Sequence, residues 1–373
     1  MVIYIWQSKT WPQFTWSDSE ILKPLAMARK NQGQILGQAK FLELKEQAEI
    51  LVNETLATSA IEGEKLDRNN VRSSVAKRLG LPSAGLPESA RSTDGLVEML
   101  IDATTNYKIK LNEKQLWGWR AALFPTGYSG IQKIEVGQWR TGVEPMQVIS
   151  GKMGKPKIHY EAPDSEKVVK EMQKFFEWWN GSQELDGILR AALAHFWFVT
   201  IHPFEDGNGR LARALTDMAL AQDENTKMRL YSLSSQIVKE RDAYYLVLEE
   251  TQKGSGDITK WLVWFFEMFS RALEASASLI EKSLLINKFF TSHDSSNLNE
   301  RQKKVLRKLF ETWPDDFVGG LTTKKYVSMT KSSPATAKRD IEELIEKKVL
   351  IANQGKGRSS SYRLNDTLIS KGE

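Results

Sequence analysis

Between residues 19 and 59, apolar side chains recur at steps of three and four: Ile35, Leu36, Ala39, Leu42, Ala48, Leu51, Val52 and Leu56. That spacing lines one face of a helix, so amphipathic helices are predicted here, interrupted at Gly63. After loop-like composition at 81–87, the same period predicts helices over 93–107, 112–123, 164–180, 186–200, 210–222, 240–252 and 258–282. The stretch 191–201 is apolar nearly all round, which fits the central buried helix of a bundle. Residues 126–163 read differently. Their glycines (Gly127, Gly130, Gly137, Gly142, Gly151, Gly154) alternate with short runs at 146–149 and 157–160, predicting a β-hairpin or an irregular flap.

A polar linker at 292–299 precedes three more predicted helices, 300–310, 322–329 and 333–348. Pro334 suits the first turn of the last one, and Ala337, Ile341, Leu344 and Ile345 give it one apolar face. Leu350 to Ala352 and Ser361 to Leu364 would close a hairpin around Gly355-Lys-Gly-Arg358. Three helices and a basic hairpin are winged helix-turn-helix patterning.

Composition adds three constraints. At ~100–200 residues per domain, 373 residues imply two or three domains. There is no cysteine, which removes disulfides, thiolate zinc sites and cysteine nucleophiles and suits a reducing compartment. The longest apolar stretch, 188–201, is broken by Arg190 and His195, and the first residues lack the pattern of a secretion signal, so a soluble cytoplasmic protein is expected. The net charge of +5 is unevenly placed. Residues 300–373 hold 16 Lys and Arg against 10 Asp and Glu, while the rest of the chain is nearly balanced. A basic tail points toward nucleic acid as a partner.

Candidate chemistry concentrates in His202-Pro-Phe-Glu-Asp-Gly-Asn-Gly-Arg-Leu-Ala-Arg213. Gly207, Asn208 and Gly209 supply permissive backbone at a helix start, where free amides and the helix dipole attract anions. Arg210 and Arg213, three apart, can reach one polyphosphate. Asp206 is a hard oxygen ligand beside them, as magnesium bridging phosphates would need. His202 has the side chain whose ordinary pKa lies nearest neutrality, which suits a general base. His195, seven residues earlier, lacks a third nitrogen or thiolate to complete a metal site and is expected as a hydrogen-bonded core histidine. No functional case attaches to His159 or His293.

This run resembles the signature of Fic-domain proteins, His-x-Phe-x-Asp/Glu-Gly-Asn-Gly-Arg-x-x-Arg, at every fixed position. The resemblance implies a Fic helical bundle with a small β-hairpin flap. It also implies transfer of AMP from ATP to a Ser, Thr or Tyr hydroxyl of a target protein, or of the chain itself, with release of pyrophosphate. His202 would take the hydroxyl proton, and Phe204 would anchor the loop. Asp206 would hold Mg²⁺ (or Mn²⁺), and the Gly207, Asn208 and Gly209 amides would cradle phosphate, with the Asn208 side chain near the α-phosphate. Arg210 and Arg213 would hold the outer phosphates. Val199, Tyr244 and Tyr245 would complete the ATP site, the tyrosines beside the base, although Glu240 stands where some relatives carry Asn.

Upstream, Thr58-Ser-Ala-Ile-Glu62-Gly63 resembles the family's inhibitory motif. Glu62 would pair with Arg213 and keep the γ-phosphate from seating productively; in some members the same glutamate serves AMP removal, and that second activity stays open. The organisation expected is an N-terminal helical module (1–90) holding the inhibitory motif (58–63), a catalytic core (91–285) with a target-gripping flap (137–163), and a winged helix-turn-helix domain (296–373). Trp6, Trp11 and Trp16 are expected as core or docking residues. Homodimerisation is open. In the tail, Lys338, Arg339, Lys356 and Arg358 are the phosphate-contact candidates, and the alternative function is a DNA-binding regulator whose Fic core senses nucleotide.

Overall fold

The computed structural model describes residues 4–39, 42–152, 155–182, 184–292, 298–313, 317–353, 360–365 and 367. Lys356, Arg358 and His293 lie outside them. The chain divides into two compact units, Met1–Ala277 and Ser278–Glu373. Among the described residues no helix is long and apolar enough to cross a membrane.

The first unit contains α1 (Asp18–Gln38), α2 (Leu44–Ile61), α3 (Arg68–Leu79), α4 (Arg91–Thr105) and α5 (Glu113–Leu123). Two antiparallel hairpins follow, β1 (Tyr128–Ser129) with β2 (Gln132–Lys133) and β3 (Gln147–Lys152) with β4 (Lys155–Glu161). Then come α6 (Ser165–Gly181), α7 (Gly187–Ile201), α8 (Asn208–Glu224), α9 (Leu233–Lys239), α10 (Arg241–Gln252) and α11 (Thr259–Ser292), whose residues beyond Ala277 belong to the second unit.

Every residue of α7 is buried. A sequence with no polar face has no alternative to full enclosure, and α7 packs on α8, which α4 also flanks. Asp186 starts α7 by accepting from the Ile188 and Leu189 amides at 3.0 and 3.1 Å. The segments read as 1–90 and 91–285 share one hydrophobic core from Ile5 to Leu273. Trp11 Nε1 donates to the Glu171 carboxylate at 2.7 Å and Trp6 Nε1 to the Glu161 carbonyl at 2.8 Å, which ties the N-terminus to α6 and β4. α2 packs on α3 and α9 and is anchored there by Glu54. That buried carboxylate accepts from the Ser232 hydroxyl at 2.8 Å, the Ser234 amide at 3.1 Å and the Ser234 hydroxyl.

Residues 126–163 form two short hairpins where one was expected. In the larger, a bulge between Val148 and Ile149 shifts the register, and both Ile149 and its partner Ile158 are exposed. Two helices were not anticipated. α3 buries little beyond Val71, Ser74, Val75 and Ala76, too thin a stripe to read, and α9 is a seven-residue turn fixed by its contacts with α2.

The second unit contains α12 (Glu300–Thr312), α13 (Thr323–Thr330), α14 (Pro334–Glu346), β5 (Leu350–Ala352) and β6 (Tyr362–Leu364). β5 and β6 pair antiparallel, and Leu321 adds a bridge to Tyr362. Their core is Val305, Leu306, Leu309, Tyr326, Ile341, Leu344 and neighbours. Asp340 is buried but fully engaged, by Arg301 at 2.8 and 3.1 Å, Tyr326 at 2.9 Å and Asn299 at 3.0 Å.

Because α7 is enclosed on all sides, truncation of Phe198 leaves a cavity that its neighbours cannot fill. Phe198→Ala is expected to lower stability by about 3–5 kcal/mol in urea denaturation followed by tryptophan fluorescence. A loss below about 1 kcal/mol would mean that α7 is not the packing centre.

Candidate active site

α7 ends where His202 takes a left-handed conformation (φ 51, ψ 58), and α8 begins after Gly207 (φ 88). The intervening loop is closed from within by Asn208. Its Oδ1 accepts from the Phe204 amide at 3.0 Å, and its Nδ2 donates to the Phe204 carbonyl at 2.7 Å. These two bonds make Asn208 the clasp of the turn and leave one Nδ2 proton outside them. Phe204 is fully buried against Trp139, ring centroids 5.0 Å apart.

Two arginines outside the motif hold this loop. Arg140 Nε donates to the His202 carbonyl at 2.8 Å, its amide to the Pro203 carbonyl at 3.0 Å, and Nη2 to the Pro163 carbonyl. Arg120 is buried with its guanidinium 4.8 Å from the Phe204 ring centroid and pairs with Glu205 at 2.8 Å. The left-handed backbone at His202 is costly for a side chain of that size, and these contacts hold it there.

His202 Nδ1 lies 3.3 Å from the Val199 carbonyl. A carbonyl can only accept, so Nδ1 carries the proton and Nε2 keeps its lone pair. Burial, with Arg140 adding to it, pushes the imidazole down to about 4, against the opposite pull of the Val199 carbonyl, Glu62 and Asp206. The ring is therefore neutral at neutral pH. His195 is a core residue. It bonds Thr216 and the Tyr244 hydroxyl at 2.9 Å each, and burial lowers it to about 3.

The start of α8 carries Arg210 and Arg213, and the end of α2 faces them. Arg213 is fully buried. Its Nε donates to the Thr58 hydroxyl at 2.7 Å, and its Nη2 to the Thr58 carbonyl at 3.1 Å and to Glu62 Oε1 at 2.7 Å. Burial works against the guanidinium charge, yet the Glu62 carboxylate, with Tyr244 and Tyr245 beside it, raises the pKa. Arg213 Nη1 has no hydrogen-bond partner among the described residues. Glu62 also presses on Gly209 so closely that a Cβ there would collide with its Oε1. Arg210, against the Phe124 ring, pairs with Glu64 at 3.2 Å and lies 3.8 Å from Asp206. Asp206 accepts from the Gly207 amide at 2.5 Å and from the Ser129 hydroxyl of β1.

Glu62, Gly209 and Arg213 open onto a cavity of about 660 Å³, whose lining does not include Asp206, Gly207, Asn208 or Arg210. Glu62, Val199, His202, Gly209 and Arg213 line one side, the β3–β4 hairpin another, and Arg241, Tyr244 and Tyr245 of α10 a third. Arg241 Nε and the Tyr245 hydroxyl both donate to the Ile61 carbonyl, at 2.9 and 3.3 Å, fastening the end of α2.

Residues 110–220 match the Fic/DOC family. This chain carries a Fic domain. Residues 4–81, ahead of it, match a domain of unknown function, DUF4172. Protein adenylyltransferase fic-1 of Caenorhabditis elegans is 42% identical over 57 residues, 15% of this chain and 11% of that protein. Protein adenylyltransferase Fic of Drosophila willistoni is 49% identical over 51 residues, 13% of this chain and 10% of that protein. The alignments thus span about a tenth of these relatives' length. The crystal structure of a Fic family protein from Desulfovibrio desulfuricans G20 is similar in fold, with a TM-score of 0.55 and 19% identity over 95% of this chain and 98% of that one.

Within the first unit, the structure gathers Glu62, Val199, His202, Gly209, Arg213, Tyr244 and Tyr245 around one cavity. The Tyr244 hydroxyl turns inward to His195, so that residue meets the cavity without its polar end. Glu240 is not on the cavity wall; it forms a two-point ion pair with Arg271 at 2.7 and 2.6 Å and fixes α10 to α11. His159, without an expected role, stands at the cavity 2.5 Å from Glu249. Sequence reasoning passed over Glu64, Arg120, Arg140 and Glu205. Only Glu64, two residues beyond Glu62, carried a readable signal.

A neutral His202 is directly measurable. Its ring carbon resonance, assigned by comparison with His202→Ala, should stay unshifted as pH falls from about 8 to about 5 and move only near 4. A midpoint at about 6 or above would contradict the buried, Nδ1-protonated imidazole.

Proposed function

We propose that this Fic domain is a protein adenylyltransferase that moves AMP from ATP onto a hydroxyl of a target protein, or of its own chain, and that Glu62 restrains it. The observation that carries this reading is the seat of Glu62: one carboxylate covers the amino end of α8 and neutralises Arg213 beside a neutral imidazole. Removing that carboxylate would expose amides, a helix dipole and a buried cation to a polyphosphate.

In the reaction proposed, His202 Nε2 takes the proton of the attacking hydroxyl. The hydroxyl oxygen forms a bond to the α-phosphorus, the bond from that phosphorus to the bridging oxygen breaks, and pyrophosphate leaves. Arg210 and Arg213 would receive the charge on the departing phosphates, and the amides at the start of α8 would steady the α- and β-phosphates. These contributions are positional and electrostatic. Arg140 would hold the His202 backbone and so aim the base. A single carboxylate, part-exposed Asp206, fits a magnesium or manganese ion that takes its remaining ligands from phosphate and water. Such an ion would supply charge neutralisation between phosphates.

Glu64 would assist Glu62 by engaging Arg210. Its side chain is 51% exposed against 30% for Glu62, so its share should be smaller.

The test is label transfer from α-labelled ATP with Mg²⁺, to the protein itself and to lysate proteins. Glu62→Gly should label at least about tenfold more than wild type, because one lost phosphate contact of this kind is worth about 1.4 kcal/mol or more. Adding His202→Ala should remove about 10²–10⁴-fold of that signal. Absence of label with Glu62→Gly would overturn the proposal, and label indifferent to His202→Ala would overturn the base.

A further inference from the structure

We propose that the second unit is a duplex-DNA-binding module that presents the first half of α14 to the major groove. α13 and α14 are joined by the short turn 331–333, in which Lys331 adopts φ 57 and Ser333 caps α14 through the Thr336 amide at 3.1 Å. α14 turns Ala337, Asp340, Ile341 and Leu344 into the core and leaves Ala335, Lys338, Arg339, Glu342 and Glu346 exposed. Charge is sorted along that outer face. Its first two turns show a small residue and two cations; both exposed acids lie in the last two turns.

Of the carboxylates near the cationic half, Asp340 is buried and committed to Arg301, Tyr326 and Asn299, and Glu342 meets Lys338 at 3.7 Å in an exposed pair weak enough for a phosphate to displace. Lys324 at the start of α13 and Lys331 in the turn are exposed as well. A helix with side chains is ~10–12 Å across, close to the ~12 Å width of the major groove. Entry by the amino end places Lys338 and Arg339 near phosphates and base edges, with Glu342 and Glu346 farther along the helix toward the rim. Lys324 and Lys331 then face the flanking backbone. The charge sorting selects a polyanion, and the narrow helical ridge selects a grooved duplex over a protein surface.

The test uses the full chain without nucleotide, and so does not depend on the transfer chemistry. Fluorescence anisotropy of a labelled mixed-sequence duplex is followed at about 50–200 mM salt. Wild type should bind with an affinity that falls steeply as salt rises. Replacing Lys338 and Arg339 together by Gln should weaken binding about 30- to 100-fold at about 0.1 M salt and lower the salt slope by about two. Lys338→Arg should retain binding, and circular dichroism melts would show that the paired variant is folded. Lys23→Gln with Lys170→Gln removes the same charge from the first unit and should change little. No binding by wild type at about 50 mM salt would overturn the proposal. Equal loss in the two paired variants, or competition by single-stranded DNA or a second protein as effective as by the duplex, would overturn it too.

Discussion

Arg213 is a buried guanidinium, and the fold supplies its anion from far along the chain. Glu62 reaches it at 2.7 Å while Thr58 occupies two further donors. Leaving such a group unpaired costs several kcal/mol, so the end of α2 and the start of α8 are bound to one another by electrostatic necessity. The rest of the site follows from that pairing. Gly209 lacks a side chain where the carboxylate presses, and Ile61 turns its carbonyl to Arg241 and Tyr245. Any polyphosphate entering this cradle must compete with a carboxylate already in it.

The scaffold makes that competition local. α2 is held at its middle by buried Glu54 and at its end by Arg213 and Arg241, so it is not a loose strap. A change confined to the Glu62 side chain would clear the cradle without dislodging the helix. On the opposite side, Arg120 and Arg140 hold the His202 loop in a backbone conformation that the histidine would not adopt alone. The base and the cradle are thus fixed by separate sets of contacts.

Much of this was legible because the underlying signals are short-range. Helical periodicity located α4–α8 and the three helices of the second unit, and the 202–213 run announced an anion site through glycines, arginines and a helix start. What stayed hidden depends on pairing across the chain. Arg120 meets Glu205 over 85 residues, and Glu54 meets Ser234 over 180, separations at which spacing carries no information. Asn208 illustrates the same limit within four residues: its identity was plain, but its turn toward the Phe204 backbone is a property of the folded loop. The charge excess of the tail was visible as a sum, whereas its sorting along α14 required knowing which face is buried.

The competition for Arg213 can be measured without turnover by calorimetric titration of His202→Ala, with and without Glu62→Gly, using ATP and AMP. If Glu62 and the outer phosphates share one cradle, Glu62→Gly should raise ATP affinity at least about tenfold and leave AMP affinity within about twofold. Equal ATP affinity in the two backgrounds, or an equal gain for AMP, would contradict a shared cradle at Arg213.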